Sequence, residues 1–143
     1  MKNIVILAVC LWGINGTSIA QCTKKITWTG SKAEFLNAND SVERTINEKV
    51  VVISSKTDIK LMHNDKEDDA LTGKIKDFSC TWSEAFKNGK TVIKSDLAEG
   101  VEHSTNGIVT IEAKNGKITI LVALDDHDGK TIKIYIDNYQ ETE

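Results

Sequence analysis

Apolar and polar residues alternate along much of the C-terminal half of the chain. Ile118, Ile120, Val122 and Leu124 fall on one parity, and Lys117, Thr119, Leu121 and Ala123 on the other. Successive side chains of an extended backbone point to opposite faces, so this pattern predicts a half-buried strand. Ile132, Ile134 and Ile136 against Lys133, Tyr135 and Asp137 repeat it, as do Val109, Ile111 and Ala113 against Thr110 and Glu112. Asn115-Gly116 lies between two of these runs and predicts a tight hairpin, because both central residues of a type I′ turn need positive φ. Asn88-Gly89 predicts a second turn, between a strand ending at Trp82 and one spanning Thr91 to Leu97.

Toward the N-terminus, Phe78, Cys80 and Trp82 share a face, Ile59 and Leu61 flank Lys60, and Val50 to Ile53 is a β-branched run. Lys56-Thr57 sits in a short connection between the last two. Ile26 and Trp28 share parity with Cys22. Ser31 to Glu48 admits two readings. Ser31-Lys32-Ala33-Glu34 matches a helix capping box, whereas Phe35, Val42 and Ile46 fit a strand hairpin turning at Asn39-Asp40, which is the reading preferred. The sum is about eight strands joined mostly by short links. It predicts an all-β antiparallel meander forming a small barrel or sandwich, lipocalin-like in architecture only. Outward positions carry lysine, threonine, aspartate and glutamate, which argues against an outer-membrane barrel with its apolar outer band.

The first twenty residues read differently. Lys2, the apolar run Ile4 to Trp12 and the small or polar stretch Gly13 to Ala20 have the order of a secretory signal, with an apolar segment too short to span a bilayer. Cleavage after Ala20 is expected, leaving Gln21 to Glu143 as a single secreted or periplasmic β domain. Acylation at Cys22 is the rival reading; the bulk of Gln21 before the cysteine weighs against it. No later stretch is long and apolar enough for a transmembrane segment. Loss of Lys2 takes the formal charge from −3 to −4. With no basic cluster, nucleic acid is an unsuitable partner. Of the three cysteines, Cys10 departs with the signal, and Cys22 and Cys80 remain as an expected disulfide.

No compact catalytic signature is present: there is no nucleophile elbow, His-Glu-x-x-His, phosphate loop or dinucleotide glycine pattern. In the simplest eight-strand meander the connections holding His63, His103 and His127 emerge at one end, each beside acidic residues that include Asp126 and Asp128. That end is a candidate site for a divalent cation, since imidazole and carboxylate suit transition metals and carboxylates alone suit calcium. The plainer account is that solvated loops are acidic. Asp126-His127-Asp128-Gly129 is most simply a hairpin turn. Trp28, Phe78 and Trp82 are candidates to line a small-molecule cavity, although buried tryptophans more often fill a core. Asn39-Asp40-Ser41 matches a glycosylation acceptor.

The function expected from these residues is a secreted, non-enzymatic binding module, holding a small apolar ligand or a cation at the long-loop end and using no cofactor. A protein–protein interaction domain working through Leu121, Ala123, Tyr135 and Tyr139 is the alternative. A metal-dependent hydrolase using the loop histidines is third.

Overall fold

The computed structural model describes residues 22–100, 103–125 and 129–142, and for His103 only the backbone. The expected signal, Gln21, Asp126, His127 and Asp128 lie outside the described residues. Eleven strands follow one another: β1 (Lys25–Gly30), β2 (Lys32–Leu36), β3 (Val42–Ile46), β4 (Val50–Ser54), β5 (Asp58–His63), β6 (Leu71–Glu84), β7 (Asn88–Glu99), β8 (His103–Lys114), β9 (Lys117–Leu124), β10 (Thr131–Ile136) and β11 (Asn138–Thr142). They form one antiparallel sheet in the order β11-β1-β4-β5-β6-β7-β8-β9-β10-β2-β3. From β4 to β10 it is a meander, each strand paired with the next in sequence.

Ser31 to Glu48 forms the hairpin β2–β3, and the capping-box motif is not helical. The turn carries Asp40 at φ 59°. The Asn37 side chain holds it by accepting from the backbone N–H groups of Asn39 and Ser41, at 2.9 and 3.0 Å. The Asn115-Gly116 turn has positive φ at both residues, 52° and 77°, as a type I′ hairpin requires.

The expected turn at Asn88-Gly89 is displaced. Both residues belong to β7, and the chain reverses over 85–87 with Phe86 at φ 52°. Phe86 is buried, edge-on to Trp28 and Trp82 at centroid distances of 5.5 and 5.7 Å. Packing of that ring fixes the reversal at Phe86, and Gly89 still takes a positive φ, 141°, against the Thr81 carbonyl. Asn88 instead braces the neighbouring turn, its side-chain oxygen accepting from the Asn115 N–H at 3.0 Å.

Breaks in three strand stretches raise the expected eight strands to eleven. Ser31 alone separates β1 from β2, Asp137 alone separates β10 from β11, and 47–49 lie between β3 and β4. Thr29 stands opposite Asn138 and Lys32 opposite Tyr135, so one register runs through both single-residue breaks. The Asp137 N–H donates to the Thr29 carbonyl at 2.9 Å between them. The buried parity shifts there, from Ile26 and Trp28 to Ala33 on one strand, and from Ile134 to the Trp28-packed Tyr139 on the other. A Cβ at Gly30 would run into the Tyr135 carbonyl oxygen, so glycine permits the close approach at this corner.

One apolar cluster takes residues from nearly every strand, among them Ile26, Val52, Ile93, Val109, Ile120 and Ile134. One face of the sheet therefore curls about a common interior. Ile118, Ile120 and Val122 are buried, as the alternation predicts, and Ile132 and Ile136 pack against the cluster. Cys22 and Cys80 form a disulfide, Cα atoms 6.2 Å apart, tying the segment before β1 to β6. Among the described residues no helix is long and apolar enough to cross a membrane.

Candidate functional site

The two ends of the sheet differ. Connections 55–57, 85–87 and 115–116 are short turns at one end, while the hairpin turn 37–41 and the longer connection 64–70 lie at the other, with Gly129 beside Ala38. The short-turn end is filled. Trp28 and Trp82 are buried, and each indole N–H is satisfied at 2.9 Å, by the hydroxyls of Ser54 and Thr91 respectively. Phe78 is partly exposed beside them. These three side chains do border a common space, but it measures only about 20 Å³, roughly the room of one water molecule. Deeper in, between Val52, Leu97, Val109 and Val122, the gap is about 10 Å³.

The long-loop end is hollow. Beneath the β2–β3 hairpin lies a cleft of about 370 Å³. Its apolar lining comes from four strand stretches: Ala33 and Phe35 of β2, Ile46 and Val50 of β3 and β4, Leu61 of β5, and Ile132 and Ile134 of β10. Arg44, Glu48 and His63 supply the polar lining. Even-numbered residues from Arg44 to Ser54 keep the inward parity of Val50 and Val52, which explains why a mixed polar and apolar row meets one cavity. A broader depression of about 420 Å³ on Asp58, Lys60, Thr72 and Lys74 has a charged border, with Lys74 paired to Asp58 at 2.5 Å.

Charges in the cleft are unevenly matched. Glu48 accepts a hydrogen bond from the Asn64 amide at 2.7 Å and faces Nε2 of His63, forming an ion pair when the imidazole is protonated. That Nε2 is buried and makes no hydrogen bond of acceptable geometry. Arg44 lies with its guanidinium 4.0 Å from the centroid of the Phe35 ring, a cation–π contact. Among the described residues no carboxylate lies within ion-pair distance of Arg44. The hairpin is fixed to β10 on its outward side. Tyr135 donates to Glu34 at 2.7 Å, and Lys32 pairs with Glu34 at 2.5 Å. The Lys32 and Tyr135 contacts hold the Glu34 carboxyl below its usual range, the lysine being the larger cause.

Of the candidate metal ligands, His63 borders the cleft and contacts Glu48; Asp126, His127 and Asp128 lie outside the described residues, as does the His103 side chain. Among the described residues no three His, Cys, Asp or Glu side chains gather to hold a metal. Of the expected contact residues, Leu121, Ala123 and Tyr135 share the outward face of β9 and β10, and Tyr139 is exposed on β11. Tyr139 packs on Trp28 and Phe86, whereas Leu121 and Ala123 are half-buried on the opposite parity from the buried Ile120 and Val122. The sequence marked Ile46 only as a strand residue and did not single out Arg44 or Glu48, because a row mixing charge with isoleucine does not look like an inward face. Neither a protein-family model, a curated protein nor a solved structure matches this chain.

Proposed function

We propose that this protein is an exported, non-enzymatic binding module that holds a small, largely apolar ligand in the cleft beneath the β2–β3 hairpin. The cleft itself carries this reading. An apolar hollow with a few convergent polar groups is the usual form of a small-molecule site, and here it sits at the long-loop end of an otherwise filled interior. On this reading the ligand would lie on Ile46, Leu61 and Ile132, at the opposite end from Trp28, Phe78 and Trp82.

The pairings favour a closed barrel as the scaffold. With β1 and β2 taken as one bent strand, β3 and β4 as a second and β10 and β11 as a third, the sheet has eight strands. Each is paired on both sides, the first with the last. Such closure would leave the cleft as the barrel's mouth. The signal-like first twenty residues and the Cys22–Cys80 disulfide support export.

Titration of purified protein with the neutral apolar dye N-phenyl-1-naphthylamine tests the reading. Saturable fluorescence enhancement is expected, with affinity at least roughly tenfold weaker in Ile46→Trp, whose indole would occupy the cleft while unfolding stays cooperative. No saturable binding by the unaltered protein overturns it.

A further inference from the structure

The cleft has a polarity as well as a volume. Its two acid–base residues, Glu48 and His63, face each other, and Asn64 donates to the same carboxylate. Arg44 is different: among the described residues its positive charge meets only the face of Phe35. A guanidinium keeps its charge at any physiological pH and presents five donors in a planar fork matched to a carboxylate. Stacking on an aromatic ring leaves the in-plane N–H groups available to a guest. Nearby lysines do not compete for that guest, since Lys49 is paired with Asp65 at 2.7 Å and Lys130 lies 3.8 Å from Glu43.

The apolar lining runs from Ile46 past Leu61 to Ile132 and Ile134. At about 30 Å³ for each water-sized group, about 370 Å³ accommodates roughly a dozen carbon-sized groups. Resting on the ligand-binding reading above, we propose that the cleft takes an amphipathic monocarboxylate, an alkyl chain of about ten to twelve carbons lying on Ile46, Leu61 and Ile132 with its carboxylate on Arg44. With the Glu48 carboxylate engaged by Asn64 and facing His63, Arg44 is the cleft charge left open to a guest, and charge complementarity to it favours this occupant over a neutral or cationic chain of equal length.

Calorimetric titration with dodecanoate, dodecanol and dodecyltrimethylammonium, each below its micelle concentration, tests the assignment. Dodecanoate is expected to bind roughly tenfold or more tightly than dodecanol, and the ammonium weakest. Arg44→Gln should erase the preference for dodecanoate while retaining dodecanol binding, and Arg44→Lys should restore part of it. Arg44 lies on an exposed strand paired on one side only, so both variants are expected to fold, with unfolding transitions as the check. Equal binding of dodecanoate and dodecanol, unaffected by Arg44→Gln, overturns the anion assignment and leaves the binding reading standing. Absence of binding by all three, with no binding of the neutral dye, overturns both.

Discussion

Removing the disulfide with the paired substitutions Cys22→Ala and Cys80→Ala takes away both bridged thiols together and isolates the effect of the cross-link. The bridged residues are 58 apart in sequence. Chain-entropy loss for a loop of that length corresponds to about 4 kcal/mol at 25 °C, through the restriction it places on the unfolded chain. Both cysteines are partly buried against the core, so lost packing adds about 1 kcal/mol. The native geometry does not depend on the bond, because β1 is hydrogen-bonded to β11 on one side and β4 on the other. A folded variant weaker by about 4 to 5 kcal/mol is therefore expected, a large part of the roughly 5 to 15 kcal/mol that stabilises an ordinary domain. In thermal terms this is a fall of roughly 15 °C for a domain of this size. Urea unfolding monitored by tryptophan fluorescence and by far-ultraviolet circular dichroism measures it. The midpoint should fall and the slope should rise, since the unlinked unfolded chain exposes more surface. A loss under about 1 kcal/mol, with the bond shown to be formed in the unaltered protein, would refute the loop-entropy reasoning.

Two further outcomes follow from single contacts. Ser54→Ala removes the acceptor of the buried Trp28 indole N–H, and stability should fall by about 1 to 3 kcal/mol in urea unfolding, the cost of leaving a buried donor unsatisfied; a change under a few tenths would show that another acceptor replaces it. Glu34 has a carboxyl held below its usual range by Lys32 first and Tyr135 second, so its contribution is present above the unfolded carboxyl's value near pH 4.3 and is lost as pH falls through the lower folded value. Glu34→Gln should flatten the acid limb of a stability-against-pH curve, and an identical limb in both proteins would remove the linkage.

Most of the strands were legible because one face of each is apolar. Ile118 to Leu124 and Val109 to Ala113 keep strict alternation through uninterrupted antiparallel pairing, and Asn115-Gly116 has turn chemistry that nothing nearby contradicts. The corner at Gly30 and Asp137 was not legible. There the inward parity shifts on two paired strands at once, and the Gly30 requirement comes from Tyr135, over one hundred residues away in sequence. The displaced turn at Phe86 has a similar origin, since its ring is positioned by Trp28 and Trp82 rather than by its neighbours. The cleft lies at the end of the fold that His63 and the longer connections mark in the sequence. Arg44 and Ile46 escaped because an inward-facing residue at an open mouth is not apolar by necessity, so the hydrophobic pattern that betrays a core falls silent.

The shift at Gly30 and Asp137 also lies between two ends of one continuous apolar interior. On one side lie the tryptophans, Phe86 and the cystine; on the other, Arg44, Ile46 and Ile132. Under the proposed binding function, exchange of the exposed Arg44 would alter selectivity without touching the core, whereas exchange of Ile46 or Ile132 would also touch the packing that the tryptophans share. A library randomised at the exposed Arg44 and Glu48 should accordingly retain a high proportion of folded members and differ among them chiefly in guest preference.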